Sequence, residues 1–219
     1  MRAVAFEAWG PSNASSCSSS SPSSPLDEGG LYVIFGPSGV GKGSVIARLL
    51  QSNPGGLFFS VSATTRKPRP GEVEGRDYLF LTPERFDELI EDGELLEWAD
   101  VFGRRYGTPA GPVRKARAAG RDVLLDVDVQ GARQIRRVAP DATLIFLAPP
   151  DRERFREVLR ERLRARGTET PAEVEQRLAE ADREITEADR LQDATVVNDD
   201  LERATAQVAA ILQQRRGRA

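Results

Sequence analysis

Three near-continuous apolar runs stand out along the chain, Leu31–Phe35, Val123–Val127 and Thr143–Leu147. None alternates with polar residues, so each predicts a parallel strand covered on both faces. Leu57–Val61 and Ala194–Asn198 are further strand candidates, the first preceded by a turn at Asn53-Pro54-Gly55-Gly56. Between the strands the spacing turns helical. Val45, Ile46, Leu49 and Leu50 predict a helix over 44–51, and Phe155, Val158, Leu159 and Leu163 share one face of another. Thr170-Pro171-Ala172-Glu173 is a capping box with proline at the first helical position. It opens a helix whose stripe is Val174, Leu178, Ala181 and Ile185, and 201–212 reads as a closing helix. This order predicts an α/β fold, a parallel sheet flanked by helices.

Two stretches break the alternation. From Ser62 to about Pro112, prolines and turn glycines separate short strand candidates at 78–81 and 95–98. A helix over 83–91 is expected there, with Thr82 as its N-cap. We read this stretch as a small strand-rich insert. The second, about 150–192, is densely charged and interrupted at Gly167-Thr168-Glu169, which suits a solvated helical excursion that moves.

The 219 residues suffice for one good-sized domain. Residues 1–28 stand apart, because nine of the thirteen residues from Ser12 to Ser24 are serine. Such a tract buries too little apolar surface to offset its ordering entropy, so a disordered tail is expected. A Ser-rich transit peptide is an alternative, but Arg2 is its sole basic residue. A start codon assigned too far upstream is another. The domain is expected over 29–212, with 213–219 as a C-terminal tail. No apolar run is long enough to span a bilayer, so no membrane partner is expected. The net charge of −3 argues against a nucleic-acid binder.

Composition also narrows the chemistry. There is no histidine, which excludes His-based acid–base catalysis and His-ligated metals. The one cysteine, Cys17, excludes a disulfide framework and a Cys-ligated zinc site. Three lysines stand against twenty-eight arginines, a skew that suits GC-rich coding and draws the eye to Lys42.

Gly36-Pro37-Ser38-Gly39-Val40-Gly41-Lys42-Gly43-Ser44 lies between a predicted strand and a predicted helix, the setting of a phosphate-binding P-loop. Its amides and the helix N-terminus would cradle phosphate, and Lys42 would reach the β- and γ-phosphates. The strict pattern puts Ser or Thr directly after the lysine. Here Gly43 comes first, so Ser44 is the Mg²⁺-facing hydroxyl only by a displaced match. Ser62 to Tyr78 holds Arg66 and Arg69, forked donors suited to a phosphate dianion, or simply a solvated basic loop. Glu97 sits at the end of the strand expected over 95–98, and Tyr106 follows, each a ligand contact or ordinary packing. Asp126 and Asp128 end an apolar strand, where P-loop proteins meet metal or nucleotide, or where an aspartate caps the next turn.

Together these motifs resemble the guanylate kinases over about Gly30 to Leu212. The resemblance is carried by the P-loop at 36–44, Ser-Ala-Thr-Thr-Arg-Lys-Pro-Arg-Pro-Gly-Glu at 62–72, Gly-Arg-Asp-Tyr at 75–78, Arg-Tyr-Gly-Thr at 105–108, Asp-Val-Asp-Val-Gln-Gly-Ala at 126–132 and Arg-Gly-Thr-Glu-Thr at 166–170. Gly43-Ser44 also occurs within that family. The resemblance implies a P-loop NTPase-type sheet and transfer of the γ-phosphoryl of ATP to GMP, with dGMP as a further acceptor, using Mg²⁺. It implies that Ser62, Glu97 and Thr108 face guanine, and that Arg66, Arg69, Tyr78 and Tyr106 hold the GMP phosphate. Asp126 and Asp128 would sit between acceptor and metal. Arg166 and Arg177 would close over the transferring group from a lid at about 150–192, with Lys42 and Arg69 sharing the catalysis. Asn198 would lie on the adenine side. ATP and GMP are the expected partners in a cytoplasmic enzyme, while the oligomeric state is not legible. Two rivals differ in class: a guanylate-kinase-like scaffold that binds peptides, and a kinase for another nucleotide. The retained Lys42, Arg69, Arg166 and Arg177 oppose the first, and Glu97 with Ser62 and Thr108 opposes the second.

Overall fold

The computed structural model describes residues 28–52, 56–101, 103–166, 170–188 and 190–216, without the side chains of Arg152, Arg162, Ala165, Arg166, Arg215 and Arg216. The expected serine-rich tail therefore lies, but for Glu28, outside the described residues. So do most of the turn at 53–56 and the 167–169 interruption.

The apolar runs form the centre. Strands β1 (Leu31–Phe35), β2 (Leu57–Phe59), β7 (Asp122–Val127), β8 (Thr143–Ala148) and β9 (Ala194–Val197) make a five-stranded sheet in the order β2-β7-β1-β8-β9, all pairs parallel. All five β1 residues are buried, as an apolar run without alternation requires. Helices α1 (Lys42–Ser52), α3 (Ala110–Ala118), α4 (Val129–Val138) and α7 (Leu201–Arg216) accompany it. The closing helix extends past Leu212 to Arg216, so the stretch expected as a C-terminal tail begins as helix.

The insert forms a second sheet, β4-β3-β6-β5, from β3 (Ala63–Thr64), β4 (Leu79–Phe80), β5 (Leu95–Val101) and β6 (Arg104–Pro109). β6 pairs antiparallel with both β3 and β5. Helix α2 (Pro83–Glu91) has the expected bounds, and Thr82 accepts at its side chain from the Arg85 N–H, 3.2 Å away. Two expectations change. β5 runs to Val101, so Glu97 stands inside the strand and not at its end. Residues 110–112 open α3, because Pro112 in the first turn forfeits no intrahelical hydrogen bond.

The charged excursion is the hairpin of α5 (Arg152–Arg166) and α6 (Pro171–Ala188). Its capping box is reciprocal: Thr170 N donates to Glu173 Oε2 at 2.6 Å, and Glu173 N to Thr170 Oγ1 at 3.3 Å. It is not solvated throughout. Phe155, Leu159, Leu163, Val174, Leu178, Ala181 and Ile185 are buried and continuous with the main core. This corrects the reading of a solvated excursion: an apolar stripe on each helix requires a partner surface.

Candidate active site

Parallel topology gathers the site at the carboxyl ends of the central strands, where open α/β sheets bind ligands. β1 and β7 lie side by side with Ile34 opposite Asp126 and Phe35 opposite Val127. The P-loop leaving β1 and the aspartates leaving β7 therefore face one another across a cleft of about 1850 Å³. The second sheet and the inner face of the α5–α6 hairpin complete its walls.

The P-loop is braced from three directions. Lys42 Nζ donates to the Gly36 carbonyl at 2.6 Å. Asn198, just past β9, donates through Nδ2 to the Val40 carbonyl at 2.7 Å. Gly41 has φ 102°, and a Cβ there would lie 2.5 Å from that same Asn198 nitrogen. Glycine is thus required by backbone conformation and by space together. From the hairpin, Leu159 reaches the loop at Gly39. Ser44 is exposed in the first turn of α1 and lines the cleft.

Across the cleft, Arg66 is built into a corner of charged and aromatic side chains. Its Nη2 donates to Glu72 Oε1 at 2.8 Å, and its guanidinium lies 5.3 Å from the Tyr78 ring centroid. Tyr78 stacks edge-on with Tyr106 at 6.0 Å. Glu72 Oε2 also accepts from the Arg69 backbone N–H at 2.7 Å, so one carboxylate organises both arginines. Burial is the largest single influence and works against the Arg66 charge, but the hydrogen bond to Glu72 and the nearby Tyr106 and Glu72 together outweigh it, and its pKa is raised. Glu72 is lowered, chiefly by the bond from Arg66. Burial, then the charge of Asp126, pushes the Tyr78 hydroxyl up to about 12, so it stays a proton donor.

Glu97 is the most distinctive group. It is only 6% exposed, and its Oε1 accepts from the Thr108 hydroxyl at 2.6 Å. A register shift between Leu95 and Glu97 bulges β5 just before it, the kind of irregularity that re-aims a side chain. A Cβ on Gly131 of α4 would sit 2.5 Å from Glu97 Oε2, so the helix approaches through a residue with no side chain. Burial, opposed by the Thr108 hydrogen bond, raises the Glu97 carboxyl to about 7.

Of the residues expected from sequence, Ser62, Arg66, Arg69, Tyr78, Glu97, Tyr106, Asp126, Asp128, Arg177 and Asn198 line the cleft with the P-loop. Thr108 does not; it stands behind Glu97 and holds it. Pro37 is likewise absent from the lining, and the Arg166 side chain lies outside the described residues. Asp128 is both site residue and N-cap of α4, accepting from the Gly131 N–H at 2.8 Å. Asp126 has a raised pKa from burial, against the pull of Lys42.

Sequence reasoning passed over Glu72, Gly131 and Glu184. Glu184 comes from α6 and lines the cleft. Burial raises it to about 7, with Lys42 opposing, Asp128 and Glu180 adding to the rise, and a bond from the Ser38 backbone opposing. Glu72 and Gly131 carried a signal, their places in the Arg-Lys-Pro-Arg-Pro-Gly-Glu and Asp-Val-Asp-Val-Gln-Gly-Ala runs, while Glu184 carried none.

Comparison with known proteins agrees with this geometry. The sequence model of the guanylate kinase family matches residues 28–215. The chain is 51% identical over 186 residues to a guanylate kinase of Nocardia farcinica, covering 84% of this chain and 93% of that one. It is 49% identical over 191 residues to one of Symbiobacterium thermophilum, covering 87% and 88%. The crystal structure of guanylate kinase from Anaplasma phagocytophilum superposes with a TM-score of 0.69 at 32% identity, covering 87% of each chain. A family model that matches nearly the whole described domain, together with relatives at about half identity over most of both chains, settles the grouping: the chain belongs to the guanylate kinase family.

Proposed function

We propose that this cleft carries out the family's ATP:GMP phosphotransfer with the P-loop as donor site and the second sheet as acceptor site. The observation that carries the assignment is the facing pair: a lysine-bearing P-loop on one wall, and on the other a buried carboxylate beside two arginines and two tyrosines. Glu97 and Ser62 read the base, Thr108 orients Glu97, and Arg66, Arg69, Tyr78 and Tyr106 hold the acceptor phosphate. Lys42, Arg177 and Arg166 serve the transferring group, and Asn198 lies on the adenine side. The acceptor atom is an already ionised phosphate oxygen, so no general base is required. The chain's work is to align two polyanions, offset their charge and exclude water.

The donor set fits Mg²⁺. Ser44, Asp126 and Asp128 offer hard oxygens, which Mg²⁺ prefers. Among the described residues no cluster of three or more His, Cys, Asp or Glu could hold a metal. Mg²⁺ would supply positive charge to the β- and γ-phosphate oxygens.

The test is a coupled assay offering ATP with GMP, dGMP, AMP, CMP and UMP. Turnover of GMP and dGMP alone supports the assignment; equal use of AMP refutes it, and no turnover at all favours a scaffold. A cytoplasmic setting suits these substrates, and no described helix is long and apolar enough to cross a membrane. We also assign the catalytic unit to the matched span of 28–215. Removing residues 1–27 is expected to leave kcat and melting temperature within error of the full chain. A large loss of either would mean that the segment docks on the domain.

Burial of Glu97 sets a pH dependence of stability. Its carboxyl moves from 4.5 to about 7 on folding, so the folded chain holds this proton more tightly than the unfolded chain. The group favours folding below about pH 4.5, and that contribution is lost as pH rises through 7. The loss amounts to at most about 3 kcal/mol. Glu97→Gln should therefore raise the melting temperature of the ligand-free protein at pH 8 and change it little at pH 5. The same increment at both pH values would show that the carboxylate is not under strain.

A further inference from the structure

Helix α4 presents three residues at threefold spacing to the site. Asp128 caps its start, Gly131 lies against the Glu97 carboxylate, and Gln134 reaches the backbone of the residue next to Glu97. Gln134 Nε2 donates to the Trp98 carbonyl at 2.6 Å, and Trp98 N donates to Gln134 Oε1 at 3.2 Å. A side-chain amide thus completes the two-bond exchange that a neighbouring strand would make. It does so on β5, an edge strand, one residue beyond the bulge that aims Glu97. Bulges interrupt the ladder, so β5 needs an outside fixture where Glu97 leaves it.

We infer that Gln134 is a positioning residue for acceptor-base recognition: its paired hydrogen bonds to Trp98 hold the Glu97 carboxylate in register with α4 and so with Asp128. This rests on the assignment of Glu97 to the base. Glu97 lies close against α4 at Gly131, which has no side chain to grip it. Thr108 fixes one carboxylate oxygen from within the second sheet, and so does not tie it to α4. Gln134 is the bond that ties this part of the second sheet to the helix bearing Asp128. Loss of the clamp should loosen guanine binding while leaving the P-loop, on the opposite wall, untouched.

The experiment is steady-state kinetics on the full chain with Gln134→Met, which keeps side-chain length but loses both bonds. Gln134→Glu, which keeps the acceptor for Trp98 N–H and loses the donor, is the second variant. Both are expected to raise KM for GMP by about tenfold. KM for ATP and kcat should stay within about twofold, with a reduced preference for GMP over AMP. A merely structural role would lower the melting temperature and the active fraction without separating the two KM values. Glu97→Gln runs alongside, alone and combined with Gln134→Met. If Glu97 matters and Gln134 acts through it, the double variant falls short of the product of the single effects. Wild-type KM for GMP in both Gln134 variants, with Glu97→Gln impaired, overturns the clamp. Wild-type kinetics in Glu97→Gln overturns the base assignment beneath it.

Discussion

Arg177→Ala is expected to lower kcat by about 10³-fold while changing KM for either nucleotide only a few-fold. Arg177 lines the cleft from α6, about one turn beyond Glu173, where the capping box ends. The box fixes the helix start, so the arginine is presented by a rigid element. Arg177 shares the cleft with the P-loop and with Asp126 and Asp128, and in the proposed reaction the phosphoryl group crosses between those walls. Charge on that group redistributes during transfer, and an interaction stronger in the transition state than in the ground state appears in kcat. Arg177→Lys keeps the charge without the planar fork and should recover only part of the loss. Turnover at the wild-type rate in Arg177→Ala, with an unchanged melting temperature, would remove the hairpin from catalysis.

Glu97 carries the second large effect. Guanine offers N1–H and its exocyclic amine as adjacent donors, and an ionised carboxylate accepts both. Adenine presents a lone pair at N1 and no amine at C2, so AMP would leave the buried charge with the Thr108 hydroxyl but without the two base donors. Sites built in this way reject such analogues by about 10⁴ to 10⁵, and we expect a GMP preference of that order. Glu97→Gln should cut kcat/KM for GMP at least tenfold, about the worth of one charged hydrogen bond. The loss should fall mainly on KM, since base contacts are similar before and during transfer. Activity lost while ligand-free stability at pH 8 rises would identify a group kept for recognition at a cost to the fold. If kcat/KM is unchanged, the base is read elsewhere.

The central sheet was legible because its strands are buried on both faces, and an apolar run such as Leu31–Phe35 has few other uses. Thr82-Pro83 and the Thr170–Glu173 box marked helix starts through local chemistry alone. β3 and β6 were not legible: two residues cannot show a period, and Arg104–Pro109 becomes a strand by pairing with β5. The same contrast divides the site. The P-loop is a contiguous motif whose chemistry is written in its own residues. Thr108 was read as facing the base, yet it faces Glu97, since the cross-strand register that pairs them is tertiary. Glu184 and Gln134 stay silent in sequence because each acquires meaning only from an element remote along the chain.

The edge of the second sheet bears on how copies of the chain meet. An edge strand displays unpaired amide and carbonyl groups that can template a strand from another molecule, and a partly exposed tryptophan beside them would strengthen the attraction. Trp98 is such a residue, 39% exposed on β5. Its outward-facing amide and carbonyl are already occupied by Gln134, and α4 packs along the strand. The fixture at Trp98 thereby also occupies, at this point of the edge, the groups that an added strand would use.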